Sequence, residues 1–198
     1  MCGFIGVIGE NLGAGIKECS LRALRKIAHR GPDDEGWLFV KDGKGVPWDG
    51  RKKVAFPVEG IIGFRRLSII DLSSTGHQPM CTEDGKVWLV FNGEVYNFLE
   101  LRKELLQRGY RFKGRSDTEV VLKSYLEWGE ECFSKFNGMW GCVFIDLRKR
   151  KVVCSRDRFG IKPLYYVWLP EEEIFAFASE IKPLLTLFPE MRGVNDQA

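Results

Sequence analysis

The chain has 198 residues, 44% of them hydrophobic, and a net charge of +3, which suits one good core or at most two small domains. The small charge, and basic clusters without interleaved aromatic residues, argue against a nucleic-acid surface. No apolar stretch is long enough to span a bilayer and no signal peptide precedes Cys2, so we expect a cytoplasmic protein with no membrane partner.

The first part of the chain predicts a strand at 4–9, followed by a helix from Gly15 to His29 that ends at Arg30-Gly-Pro32. We expect an acidic loop at 33–36, a strand at 37–40 and an irregular segment at 42–50 between two Asp-Gly turns. A long β-rich run covers 61–70, and a polar loop follows from Asp71 to Pro79.

The run Val87–Phe91 is almost continuously apolar, which predicts a strand buried on both faces. A helix from about Phe98 to Arg108 follows, closed by Gly109, and a third helix is capped by Ser116 or Asp117. The rest is β-rich, with strands at 139–146, 151–156, 164–168 and 174–178. A short last helix begins at Ser179-Glu180 and is broken by Pro183.

This order of elements predicts an α+β fold in which two sheets pack together and helices lie outside them. Strands and helices do not alternate, which argues against a doubly wound parallel sheet. None of the six cysteines has Cys-x-x-Cys spacing, so we expect no metal site and reduced thiols. Cys142 and Cys154 are typical of core strand positions.

Cys2 follows the initiator Met1, whose removal is favoured when the next side chain is small. Removal would place a thiol and a free α-amine on one residue, and an amine with a pKa of about 7.7–8.0 can accept the thiol proton near neutral pH. No catalytic His is then needed. On position alone, however, the stronger interpretation is that Cys2 is a small apolar residue starting a strand.

The sequence Asn92-Gly93-Glu94 follows the most apolar strand. The Asn92 side-chain amide and the Gly93 N–H would form a two-donor oxyanion hole, and Gly93 permits close approach of a ligand. An ordinary Asn-Gly turn is the alternative, although a helix rather than a returning strand comes next.

Arg65 and Arg66 lie within an apolar strand and point to opposite faces, so one guanidinium needs a buried partner. A ligand carboxylate in bidentate geometry would satisfy it, and a structural salt bridge is the alternative. Asp117 is, on local grounds, a helix cap.

These residues belong to a set of motifs that closely resembles a known family, the class II glutamine amidotransferase domain of asparagine synthetase. The motifs are Cys2-Gly-Phe-Ile-Gly6, His29-Arg-Gly-Pro-Asp-Asp-Glu-Gly36, Arg66-Leu-Ser-Ile-Ile-Asp71, Gly76-His-Gln-Pro79, Phe91-Asn-Gly-Glu-Val-Tyr-Asn97, Ser116-Asp-Thr-Glu119, Phe136-Asn-Gly-Met-Trp140, Arg156-Asp-Arg-Phe-Gly-Ile-Lys-Pro-Leu-Tyr-Tyr166 and Ala178-Ser-Glu-Ile-Lys182. They run in order over nearly the whole chain.

The resemblance implies an N-terminal-nucleophile hydrolase fold, an αββα sandwich. It implies that Cys2 attacks glutamine to form a γ-glutamyl thioester, giving glutamate and ammonia, with Asn92 and Gly93 as oxyanion hole. Arg66 would hold the glutamine α-carboxylate and Asp117 its α-ammonium. The same pocket would be lined by Leu67, Ser68, Ile69, Ile70 and Glu94.

The domain implied covers residues 2–188, and 189–198 would begin a linker to a C-terminal synthetase domain that is not in this sequence. We therefore expect a fragment of a longer protein, with a free-standing domain as the alternative. We expect no cofactor in this domain, ATP and magnesium only in the synthetase domain, and allow for a homodimer. If Met1 is retained, the Cys2 amine is an amide and the form is immature.

Three other functions stay open at this stage. The domain could serve an asparagine-synthetase-like protein that amidates another carboxylate, since the acceptor site would lie outside this sequence. A Cys-His peptidase would need His29 or His77 beside the thiol. A non-catalytic regulatory module would keep the fold, which the presence of Cys2, Arg66 and Asn92 argues against.

Overall fold

The computed structural model describes residues 1–49, 53–68 and 73–193. The strands are β1 Gly3–Leu12, β2 Asp34–Lys41, β3 Lys44–Trp48, β4 Val58–Arg66, β5 Met80–Cys81, β6 Val87–Val95, β7 Gly138–Asp146, β8 Lys151–Arg156, β9 Tyr165–Leu169 and β10 Ile174–Ala178. The helices are α1 Ala14–Arg25, α2 Phe98–Gln107, α3 Asp117–Trp128, α4 Cys132–Lys135 and α5 Ile181–Leu187. Short 3₁₀ turns occur at Ala28–Arg30, Ser74–Gly76, Gly129–Glu131 and Pro189–Arg192.

The strands form two antiparallel sheets. The first has six strands in the order β3-β2-β4-β1-β10-β9, and the second has four in the order β5-β6-β7-β8. The chain therefore starts on a central strand of the larger sheet, because β1 pairs with β4 on one side and with β10 on the other. This places the residues next to Cys2 in the interior of the fold.

Three apolar clusters separate four layers. Side chains of both sheets meet in the middle cluster, for example Phe4 and Phe64 with Val90 and Val143. A second cluster packs α1 and α5 on the outer face of the larger sheet. The third packs α2, α3 and α4 on the outer face of the smaller sheet. This arrangement is the predicted αββα sandwich, which the structure confirms.

The strand β6 confirms the expectation that an uninterrupted apolar run is buried on both faces. Leu89 and Phe91 belong to the cluster under the helices, whereas Trp88 and Val90 belong to the cluster between the sheets. The predicted C-terminal strands are also confirmed, as is the closure of α2 by Gly109, whose φ is +91°. Among the described residues, no helix has the length and apolar character needed to cross a membrane.

Several local predictions were wrong in the first half of the chain. The acidic segment 34–36 is not a loop but the start of β2, where Asp34 and Glu35 pair with the arginines of β4. The segment expected to be irregular contains β3, joined to β2 by a turn in which Asp42 and Gly43 have positive φ. Helix α1 ends at Arg25, and a 3₁₀ turn carries the chain through His29.

Further corrections concern residues after Phe91. Asn92-Gly93-Glu94 is neither a turn nor a segment after a strand, because β6 continues through it and pairs Gly93 with Trp140 of β7. The Cys154 side chain is exposed rather than in the core. Pro183 is buried near the start of α5 and does not break it, since the first helical turn has N–H groups without intrahelical partners.

Candidate active site

Cys2 is anchored through its backbone just before β1. The Arg30 Nε–H donates to the Cys2 carbonyl oxygen at 2.9 Å. Two bonds then tie Phe4 to Ser179, because the Ser179 Oγ accepts from the Phe4 N–H at 3.0 Å and the Phe4 carbonyl accepts from the Ser179 N–H at 2.9 Å. The start of the chain is therefore fixed in position by residues from two other parts of the sequence.

The Cys2 thiol lies against the backbone that follows β4. The Leu67 N–H donates to Sγ at 3.4 Å, and Sγ lies 3.6 Å from the Leu67 carbonyl oxygen. Burial raises the pKa of the Cys2 thiol, and the Leu67 N–H and nearby positive charges, including Arg66, offset this only in part. The thiol therefore needs a base to become the nucleophilic thiolate near neutral pH.

A cavity of about 170 Å³ opens beside the thiol. Its lining comes from the residues before β1, the end of β4 and the loop after it, the end of β6, the start of α3, the start of β7 and the loop after β8. The lining residues are Met1, Cys2, Arg66, Leu67, Gly76, Gln78, Phe91, Asn92, Gly93, Glu94, Ser116, Asp117, Thr118, Met139 and Lys162.

Most of the predicted site residues meet at this cavity: Cys2, Arg66, Leu67, Asn92, Gly93, Glu94 and Asp117 all line it. Ser68 does not line it, and its N–H donates to Asp33 Oδ2 at 2.8 Å. The predictions for Ile69 and Ile70 lie outside the described residues.

Asn92 and Gly93, the residues predicted to form an oxyanion hole, both line the cavity. Asn92 is only 2% exposed, and its Nδ2 has no hydrogen-bond partner in the described part of the chain. Such a buried donor is costly unless a ligand uses it. Gly93 is also required for packing, because an added Cβ would lie 2.4 Å from the Met139 carbonyl oxygen.

Sequence reasoning missed Gln78, which positions this part of β6. Its buried side chain makes two hydrogen bonds with the Phe91 backbone: Oε1 accepts from the N–H at 2.7 Å and Nε2 donates to the carbonyl at 3.2 Å. Gln78 thus continues the ladder that β5 makes with β6 up to the residue before Asn92. Its only signal in the sequence was membership of the Gly76-His-Gln-Pro79 motif.

Arg66 is 8% exposed at the end of β4, and its Nη1 donates to the Ser73 carbonyl at 2.9 Å. Gly76 makes room for the guanidinium, since an added Cβ would lie 1.9 Å from Nη2. Arg65 points to the other face, where it pairs with Glu35. Of the two arginines, therefore, Arg66 carries its charge to the cavity and Arg65 forms the structural salt bridge.

Asp117 is the first residue of α3 and is 4% exposed. Ser116, not Asp117, is the N-cap residue, and the Asp117 Oδ2 accepts the Val95 N–H at 3.1 Å. Burial raises the pKa of Asp117 to about 6; hydrogen bonds from the Val95 and Thr118 N–H groups oppose this, and the charge of Glu94 adds to it. The cavity therefore holds a carboxylate that a bound cation would stabilise.

Neither histidine lines the cavity. His29 Nε2 lies 3.0 Å from Glu180 Oε1, and His77 Nδ1 lies 2.7 Å from Asp34 Oδ2. A Cys-His pair is therefore not formed, and both rings have structural partners. The described residues also include no group of three or more His, Cys, Asp or Glu side chains placed to hold a metal ion.

The αββα sandwich, with a thiol at the start of a central strand, has the N-terminal-nucleophile hydrolase fold. A solved structure with this fold is the glutamine phosphoribosylpyrophosphate amidotransferase from B. subtilis, complexed with ADP and GMP. It superposes with a TM-score of 0.75 at 20% identity, over 94% of this chain and 43% of that one. The structural similarity therefore covers nearly the whole fold of this chain.

Sequence comparison then defines the family. The family described as "Glutamine amidotransferase domain" matches residues 1–198, so the chain belongs to it. Asparagine synthetase [glutamine-hydrolyzing] 1 of Bacillus subtilis (strain 168) is 40% identical over 188 residues, which are 93% of this chain and 27% of that protein. Asparagine synthetase [glutamine-hydrolyzing] 2 of the same organism is 41% identical over 191 residues, 94% of this chain and 22% of that protein. The chain thus spans about a quarter of these relatives.

Proposed function

We propose that this domain hydrolyses glutamine to glutamate and ammonia at Cys2. The observation that carries the proposal is the buried Asn92 amide, which lies in the same cavity as the thiol and whose Nδ2 has no hydrogen-bond partner among the described residues. A nucleophile and an uncommitted donor are what acyl transfer requires, since negative charge develops on the carbonyl oxygen in the transition state.

Glutamine would lie between two charged ends of the cavity. The Arg66 guanidinium would bind the α-carboxylate through a charge-assisted hydrogen bond. Asp117 and Glu94 would bind the α-ammonium, whose charge favours the ionised form of Asp117. The side-chain carboxamide would then extend toward Cys2, with its oxygen directed at the Asn92 Nδ2 and the Gly93 N–H.

In the first step the α-amine of Cys2, freed by removal of Met1, takes the thiol proton. The thiolate attacks the carboxamide carbon, and a carbon–sulfur bond forms as the carbonyl becomes an oxyanion. Collapse breaks the carbon–nitrogen bond, and the ammonium of Cys2 gives its proton to the departing nitrogen, which leaves as ammonia. A γ-glutamyl thioester is left on Sγ.

In the second step a water molecule attacks the thioester, and the same amine takes its proton. The carbon–sulfur bond breaks, glutamate leaves, and the proton returns to sulfur. The oxyanion hole acts in both steps, because each passes through a tetrahedral intermediate.

The names of the relatives support a further part of the proposal, that the ammonia serves an ATP-dependent synthetase domain converting aspartate to asparagine. Such a domain would belong to the longer protein, together with its ATP and magnesium. Amidation of another carboxylate is the alternative acceptor reaction. A cytoplasmic location fits the thiols, since all six cysteines are free and such thiols persist in reducing compartments. A homodimer stays a prediction.

The test is ammonia release from glutamine by the wild-type chain and by Cys2→Ala and Cys2→Ser. We expect both variants to melt like the wild type and to show no turnover. The matched control is Cys154→Ala, which removes an exposed thiol outside the cavity and should keep full activity. Robust turnover by Cys2→Ala would refute the assignment.

A further inference from the structure

Four buried polar side-chain atoms have no hydrogen-bond partner within residues 1–49, 53–68 and 73–193: Arg65 Nε, Asn92 Nδ2, Ser116 Oγ and Ser124 Oγ. Two of these residues, Asn92 and Ser116, line the catalytic cavity. An unmet buried hydroxyl destabilises the folded chain, so its presence calls for a reason. The proposed oxyanion hole gives a reason for the buried Asn92 amide, whereas the proposed function gives no reason for the buried Ser116 hydroxyl.

Ser116 occupies a position where a hydroxyl normally serves the fold. It is the N-cap of α3 and is 5% exposed. An N-cap serine usually accepts an N–H of the first helical turn, but this side chain makes no such bond. The loop before the helix is instead held by Glu119, whose carboxylate accepts the N–H groups of Lys113 and Gly114. The hydroxyl is therefore available to a ligand.

The neighbours of Ser116 indicate which part of a ligand it would contact. Asp117 follows it directly, and Glu94 lines the same cavity. This is the anionic end, where a substrate ammonium would bind. An ammonium group has three N–H donors, and one oxygen of Asp117 already accepts the Val95 N–H. A further neutral acceptor at this end of the cavity would give the three N–H groups of the ammonium a complete set of hydrogen-bond partners.

We propose that the Ser116 hydroxyl accepts a hydrogen bond from the α-ammonium of bound glutamine, which makes Ser116 a residue that selects for the α-amino group. The inference rests on the proposed function, since it names a further contact of the same substrate.

The first test compares Ser116→Ala with Ser124→Ala. Both remove a buried hydroxyl that has no hydrogen-bond partner in the described part of the chain, but Ser124 is outside the cavity. We expect Ser116→Ala to raise KM for glutamine about ten- to a hundredfold, as loss of a hydrogen bond to a charged group does. Its kcat should change little, and neither variant should melt earlier than the wild type. An unchanged KM, or an equal rise in Ser124→Ala, would overturn the proposal.

The second test identifies the contacted group without requiring turnover. L-glutamate carries the α-ammonium and glutarate lacks it, and either ligand in the cavity should protect Cys2 from iodoacetamide. Peptide mass spectrometry distinguishes Cys2 from the other cysteines. Ser116→Ala should need about tenfold more glutamate for half-protection, with no change for glutarate. If glutarate protects neither protein, the proposal is tested by comparing Ser116→Ala with Ser124→Ala in the glutamate concentration needed for half-protection.

Equal weakening of protection by both ligands would place the hydroxyl elsewhere and overturn the inference. Its failure is separable from failure of the proposed function. A wild-type chain that is protected by glutamate but does not hydrolyse glutamine would refute the function, whereas an active wild-type chain with an indifferent Ser116→Ala would refute only the role of Ser116.

Discussion

The two halves of β6 use the same backbone for opposite purposes. In the first half, Leu89 and Val90 are buried in apolar clusters on either side of the strand. In the second half, Asn92 is just as buried but has an amide nitrogen with no partner in the described residues. Both halves pair in register with β7. The backbone is therefore equally well fixed, and only the side chains differ.

The two halves of β6 therefore differ in how much they contribute to the stability of the fold and how much to the chemistry of the cavity. The first half gains free energy from burial of apolar surface. The second half opens onto a cavity that also contains a buried hydroxyl and a carboxyl group with a raised pKa. Each of these is unfavourable until a ligand of matching charge and geometry is bound.

The largest expected effect contrasts Asn92→Ala with Leu89→Ala. Asn92→Ala should lower kcat by roughly 10²–10³-fold, because one oxyanion donor is lost, and should leave the melting temperature unchanged or raised. Leu89→Ala should lower the free energy of unfolding by about 2–5 kcal/mol and keep kcat per folded molecule. Ammonia-release kinetics and urea unfolding measure both. If Asn92→Ala mainly destabilised the chain, the two halves would not differ as described.

The next effect comes from Asp117→Asn. We expect KM for glutamine to rise about ten- to a hundredfold, because the substrate ammonium loses one of its two charged partners. Stability should rise by about 1–3 kcal/mol, because a carboxylate whose pKa is raised from 3.8 to about 6 disfavours the folded state at neutral pH. An unchanged KM with lowered stability would instead indicate a capping role.

A smaller effect is expected at Gln78, which hydrogen-bonds to Phe91 where the two halves of β6 meet. Gln78→Leu removes both bonds to Phe91, the residue before Asn92. The oxyanion donor should then be less well positioned, and kcat should fall about tenfold with little change in KM. Gln78→Glu keeps an acceptor for the Phe91 N–H but places an oxygen against the Phe91 carbonyl, so its kcat should fall at least as much. Equal loss in KM and kcat for Gln78→Leu would argue against a positioning role.

The smallest effect is a pH dependence. The ionised form of Asp117 is the one that binds an ammonium, so kcat/KM should fall as the pH drops below about 6, by about fourfold at pH 5.5. The ratio of wild-type to Asp117→Asn kcat/KM isolates this group from other ionisations. Stability should change in the opposite direction, because a raised carboxyl pKa makes folding less favourable as the pH rises from about 4 to 6. A ratio that is constant with pH would exclude Asp117 as the titrating group.

Local pattern predicted the elements that rest on local physics. The run from Val87 to Phe91 was predicted to be buried because it has no polar residue, and the closure of α2 at Gly109 follows from the positive φ that glycine allows. The layered fold followed from the order of strands and helices. The likeness to amidotransferase motifs then indicated residues that meet at the cavity.

Predictions failed where long-range pairing decides the conformation. Nothing local shows that Asp34 and Glu35 extend a strand, because their pairing partners in β4 are about thirty residues later in the chain. Asn-Gly is a common turn sequence, yet here it lies inside β6 because β7 pairs with it. The roles of Gln78 and Ser116 depend on which hydrogen bonds are made or left unmade, and that depends on the assembled fold.

The central claim is that the thiol and the terminal amine of Cys2 act together in this cavity. Met1 lines the cavity beside Cys2, so a retained Met1 should both remove the base and obstruct the substrate. The decisive measurement pairs intact-mass spectrometry with glutaminase assays on a preparation that begins at Cys2 and one that retains Met1. We predict equal melting temperatures and a loss of at least about 10²–10⁴-fold in the Met1 form, with activity proportional to the fraction of chains that begin at Cys2. Equal specific activity in the two preparations would contradict the account.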